Sequence, residues 1–242
     1  MKRVELFQSA DDLKAIFTNG LLTPKGYPKL TRYANSCGDA FTYFAYRLDS
    51  EDFLSSLDRK RCKYTKAGEN GRIYYVSDTD VNPIGDGGAA MLDLEYLKTH
   101  FADRLEEPGF VATKFDEVID KTGCYGIIEG DNINHYTTVE FKMYLRKLKF
   151  RVINNLYPRE NISGFTSRAS LNRRLRIRKY IFPAYCLIPP IVLIDAFILA
   201  VRKRSAIFLL HFLFVYITIF YIMVYLILKL CGVKPKKLAY GK

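Results

Sequence analysis

Two long apolar runs close to the C-terminus constrain this chain more than any other feature. Ile181 to Val201 is a 21-residue run broken only by Asp195, and Ala206 to Leu228 is a 23-residue run that contains His211 and no formal charge. Each is about as long as a helix must be to cross a hydrocarbon core. Only Arg202, Lys203, Arg204 and Ser205 separate them, so the two helices must be antiparallel neighbours. The expected architecture is an α/β layered soluble domain followed by a C-terminal transmembrane helical hairpin. The segments expected are a soluble domain over 1–165, a basic juxtamembrane helix over 166–180, a two-helix membrane anchor over 181–230 and a basic tail over 231–242.

The charge distribution follows the same division. Residues 1–150 hold 21 Lys and Arg against 23 Asp and Glu, whereas 151–242 hold 16 against 2. The net charge of +12 therefore lies beside the apolar runs. That placement predicts contact with anionic lipid rather than nucleic acid, because a nucleic-acid reader carries its basic patch on the folded domain. Arg173, Arg174, Arg176, Arg178 and Lys179, interleaved with Leu171, Leu175 and Ile177, are the expected lipid-binding residues. Basic residues flank the pair of runs more heavily than they fill the loop, which places the soluble domain and both termini in the cytosol.

Pro183, Pro189 and Pro190 complicate a straight first helix, since proline removes backbone hydrogen bonds and kinks helices. The same run can be read as a re-entrant or interface-lying helix, with the loop at 202–205 returning to the cytosolic side. Asp195 needs a partner in either case, supplied by protonation or by the loop arginines. The five cysteines form no CxxC pair, which predicts neither a disulfide framework nor a zinc site. The N-terminal MKRVELFQSADDL has no apolar run, so no cleaved signal peptide is expected.

Within the soluble part, residues 5–19 read as a helix, Phe41 to Leu48 as a buried aromatic strand, FLSSLDRK as a helix, and Arg72 to Val76 as a strand. Met91 to Phe101 reads as a helix, Cys124 to Glu129 as a strand, Val139 to Leu148 as a helix and Phe150 to Ile153 as a strand. Strands interleaved with helices imply α/β layering. Two acidic clusters, Asp49-Ser50-Glu51-Asp52 and Ser77-Asp78-Thr79-Asp80, follow apolar strands in this reading. Carboxylates two apart at a strand end can hold a divalent cation that grips a diphosphate. The plainer reading is turn chemistry, in which Asp, Ser and Thr are common. Cys37 in Asn-Ser-Cys-Gly-Asp, with a distant base in His135, would suit a papain-like or NlpC-like hydrolase.

The stretch ANSCGDAFTYFAYRLDSEDFL resembles the segment through the DxD motif of family-two glycosyltransferases, which have the GT-A fold. VEFKMYLRKLKFRVINNLYP resembles their acceptor-side helix and following strand, and SRASLNRRLRIRKY the basic stretch that leads membrane-bound members into paired helices. The resemblance implies a membrane-anchored enzyme that transfers a sugar from a nucleotide-sugar donor to a membrane-proximal or lipid-linked acceptor. It implies Mg²⁺ or Mn²⁺ held by Asp49 and Glu51, or alternatively by Asp78 and Asp80, with Glu140 as the general base. A non-catalytic membrane adaptor or remodelling protein is the reading of a different class.

Overall fold

The computed structural model describes residues 2–76, 90–106, 115–137, 139–157 and 173–235, without the side chains of 115–116 and 173–176. In chain order the elements are α1 (Lys2–Gln8), β1 (Ala15–Phe17), β2 (Gly20–Leu22), α2 (Lys29–Cys37), α3 (Ala40–Tyr46), α4 (Phe53–Arg59), β3 (Tyr64–Ala67) and β4 (Gly71–Tyr75). Then come β5 (Met91–Leu92), α5 (Leu94–Phe101), α6 (Phe115–Thr122), β6 (Cys124–Ile128), β7 (Asn132–Asn134), α7 (Phe141–Leu156), α8 (Arg173–Cys186), α9 (Pro189–Arg202) and α10 (Leu210–Leu230). They form two compact units. Met1–Leu22 joins Leu48–His135 in the first, and Thr23–Arg47 joins Tyr136–Lys242 in the second. The boundary expected at 165 lies outside the described residues.

The first unit is mixed α/β. Its five-stranded sheet runs β3-β4-β6-β1-β5, and β2 pairs with β7 separately. Within the larger sheet β1 and β6 are parallel, whereas β3–β4, β4–β6 and β1–β5 are antiparallel. All five residues of β6 are buried, the pattern of a strand covered on both faces. Tyr74 stacks on Tyr125 with ring centroids 5.5 Å apart, and Phe17 meets Tyr125 edge-on at 5.6 Å. Burying side chains of this size stabilises the sheet by about 1.5–3 kcal/mol each. The β3–β4 hairpin turns through Gly68, whose φ of +64° suits a residue without a Cβ.

The second unit is helical. Its core gathers Tyr33, Tyr144, Phe182, Phe208 and Phe214, residues that lie far apart in sequence. α10 continues from a short 3-10 turn, and Ala206–Leu230 together make the one helix, among the described residues, long and apolar enough to cross a membrane.

Three sequence expectations are corrected here. Phe41 to Leu48 is not a strand: Ala40–Tyr46 is helical, with Asp39 capping it by accepting the Thr42 N–H at 2.8 Å. Thr42 and Arg47 are too few to reveal the period of this aromatic run, but Ala40, Tyr43 and Phe44 are buried at helical spacing. Phe150 to Ile153, read as a strand, belongs to α7. Residues 5–19 are not one helix, because α1 ends at Gln8 and Ala15–Phe17 is a strand.

Candidate functional site

The two acidic clusters come first. Asp49 follows helix α3 rather than a strand, and its environment is that of a turn. Its backbone N–H donates to Ser56 Oγ at 3.0 Å, and its Oδ1 accepts the Glu51 N–H at 3.1 Å. Asp52 caps α4, accepting from the Ser55 N–H at 3.2 Å and the Ser55 hydroxyl at 2.6 Å. Strand β2 presses on this turn: Leu21 N–H donates to Ser50 O at 2.8 Å. A Cβ at Gly20 would lie 2.4 Å from Glu51 O, so only glycine fits there. Carboxylates engaged in this way act as turn and cap ligands. Among the described residues no group of three or more His, Cys, Asp and Glu is placed to hold a metal ion. Asp49 and Asp52 serve this turn and cap, and Asp78 and Asp80 lie outside the described residues.

Glu140 immediately precedes α7. It is exposed at the N-cap of α7, with extended backbone (φ −84°, ψ 159°) and no side-chain capping bond. It belongs to the second unit, whereas Asp49 and Glu51 belong to the first. Cys37 and His135 are divided in the same way. Cys37 is buried at the end of α2, and His135 is exposed.

The chemistry that the structure does bring together lies inside the second unit. Arg47 Nη1 meets Asp195 Oδ2 at 2.7 Å, and the Tyr185 hydroxyl donates to the same oxygen at 2.8 Å. The guanidinium also lies over Tyr43, Phe44 and Tyr185, between 5.3 and 5.9 Å from the ring centroids. Burial works against the charged form of Arg47, but the Asp195 carboxylate outweighs it and the pKa is raised. The ion-pair partner of Asp195 is thus not an arginine of the loop at 202–205. It is a residue 148 positions upstream, a pairing that no local spacing reveals. Nearby, the Tyr33 hydroxyl and His211 Nδ1 share a hydrogen bond of 2.8 Å, both residues being fully buried. Burial first, and the neighbouring Tyr144, push the Tyr33 phenol well above its ordinary value. Nε2 of His211 has no hydrogen-bond partner among the described residues.

The outer surface of this unit is its other distinctive feature. In α9 the residues Val192, Ala196 and Leu199 face inward. Outward stand Ile191 (45% exposed), Leu193 (54%), Ile194 (57%), Phe197 (62%), Ile198 (44%) and Val201 (60%). A helix surrounded by water carries polar residues on such a face. α10 continues the surface with Leu213, Phe220, Met223 and Ile227. Of the expected lipid-binding residues, Arg178 donates to the Ala45 carbonyl at the C-terminal end of α3, and Lys179 lies over the Tyr180 ring at 4.9 Å. Arg173, Arg174 and Arg176 open α8, with side chains outside the described set.

No family model matches the chain, and no curated protein or solved structure matches it.

Proposed function

We propose that the chain is a membrane-bound protein whose helical unit sinks its outer apolar surface into an anionic bilayer and so retains the α/β unit at the membrane. The observation that carries this reading is the outward face of α9, which is apolar at every exposed position from Ile191 to Val201. An exposed apolar surface of that extent marks an interaction site. The cationic flanks, Lys179 before it and Arg202 and Arg204 after it, match a surface of anionic head groups. Each cation near such a surface contributes roughly 1 kcal/mol. The excess of basic residues outside the loop orients both termini and the α/β unit toward the cytosol. Flotation of the full chain with vesicles tests this. It should float with vesicles containing phosphatidylserine, and Phe197→Lys with Leu193→Lys should leave it at the bottom of the gradient. Retention of the double variant by the vesicles would contradict the reading.

A second reading has one specific observation behind it. Glu140, exposed at the start of α7 with no capping bond, has the position and freedom of a general base. On this reading the bound protein is a glycosyltransferase acting on a membrane-proximal acceptor. Calorimetry with a panel of nucleotide sugars, with and without Mg²⁺ or Mn²⁺, tests it. Metal-dependent binding abolished by Asp78→Asn with Asp80→Asn, and retained in Glu140→Gln with transfer lost, is the expected pattern. No heat with any donor leaves the membrane-bound protein without this activity.

A further inference from the structure

The apolar surface can meet a bilayer in two ways, by crossing it or by entering one leaflet. The geometry points to the second, and we propose that the helical unit is monotopic, with α9 and the outward face of α10 embedded in a single anionic leaflet and no helix crossing. This rests on the membrane-bound reading above. Three observations carry it.

The first is length. α9 has 14 residues, about 21 Å at 1.5 Å per residue, against a hydrocarbon core of about 30 Å. The second is the break before it. Ile177–Cys186 and Pro189–Arg202 meet at 104°, and Pro189 and Pro190 open α9, where their missing N–H groups cost no helical bond. The residue before them, Ile188, is pushed out of the helical region to φ −116°, ψ 79°. The run at 181–201 therefore turns back instead of continuing as one span.

The third observation concerns α10, which is long enough to cross. It does not stand alone. α7 runs beside it in the same direction: Tyr144 meets Phe214 with centroids 4.4 Å apart, and Val152 and Ile153 pack with Tyr225. Further on, the Tyr157 hydroxyl donates to Tyr225 O and Val233 O, both at 3.1 Å, and Lys229 Nζ donates to Leu156 O at 2.5 Å. α7 carries Lys142, Arg146, Lys147, Lys149 and Arg151, with Lys142 and Arg146 exposed. If α10 crossed, these cations would be drawn to hydrocarbon depth with it, which bilayers strongly oppose. With the α7–α10 pair lying along the surface, the outward face of α10 meets acyl chains while the lysines and arginines of α7 stay at the level of the phosphates.

The two arrangements place the ends of α10 differently. Ser205 precedes it and Cys231, exposed, follows it. Crossing puts them on opposite sides of the membrane, and the monotopic arrangement puts them on the same side. The full chain carrying Ser205→Cys, with Cys231 retained, is reconstituted into sealed phosphatidylserine-containing vesicles and treated with a membrane-impermeant maleimide. A Cys231→Ser chain without the added cysteine sets the background from the other thiols. Intact mass then reads the labels per molecule whatever the orientation. Molecules with both thiols labelled or neither are expected. A population carrying one label each, doubled on adding detergent, would overturn the proposal while leaving membrane binding intact. A chain that fails to float would overturn both.

Discussion

An aspartate in an apolar helix has to be met by something, and Asp195 is met by Arg47 and Tyr185. The side chains are 35% and 19% exposed for Arg47 and Asp195, so the pair is partly shielded and removal of one member leaves a charge behind. Arg47→Ala should cost about 1–3 kcal/mol, and adding Asp195→Asn should recover part of it. Denaturant unfolding of the three variants in detergent measures the coupling, and strictly additive costs would mean that the pair contributes nothing. Asp93 makes a prediction about pH. The Tyr96 N–H and then Lys14 Nζ hold its carboxylate below the usual range. Its contribution is therefore complete above the unfolded carboxyl pKa and is lost as pH falls through the lower folded value. Asp93→Asn should lower Tm at neutral pH and flatten its decline in acid. An unchanged acid limb would count against that cap.

At the scale of elements, Asp39 serves two partners. It caps α3 through Thr42 and accepts from Arg151 of α7 at 3.0 Å. Asp39→Ala should therefore cost about 1–2 kcal/mol in thermal or denaturant unfolding, toward the upper end of a cap alone, whereas Asp39→Asn should retain most of the cap. The helices showed unevenly in the sequence. α10 was legible because a long apolar run has few alternatives, and the break before α9 was legible in Pro189 and Pro190. α3 was not, because aromatic residues on every side hide the period, although Asp39 is a residue type favoured at an N-cap. The last turns of α7 were misread because Phe150, Val152 and Ile153 favour strands locally, and packing against Tyr225 overrides that preference.

For the whole molecule, sequence distance decided what could be read. Residues 23–47 join the C-terminal helices in one compact unit, and this rests on contacts such as Tyr33 with His211 and Arg47 with Asp195, each more than a hundred positions apart. The acidic turn at Asp49 to Asp52 was visible as a cluster, but its role as helix cap and turn ligand depended on Ser55, Ser56 and Gly20 being brought to it. The apolar helical surface was legible in outline from hydropathy, while its facing required knowing that Val192, Ala196 and Leu199 turn inward. The chain contains no tryptophan, so a single one reports that facing without background. Phe197→Trp on the outward face of α9, in the full chain bound to vesicles, should emit at short wavelength and be quenched by lipids brominated in the acyl chain. Emission at the wavelength of a water-exposed indole, unquenched by those lipids, would mean that this face of α9 stays in water.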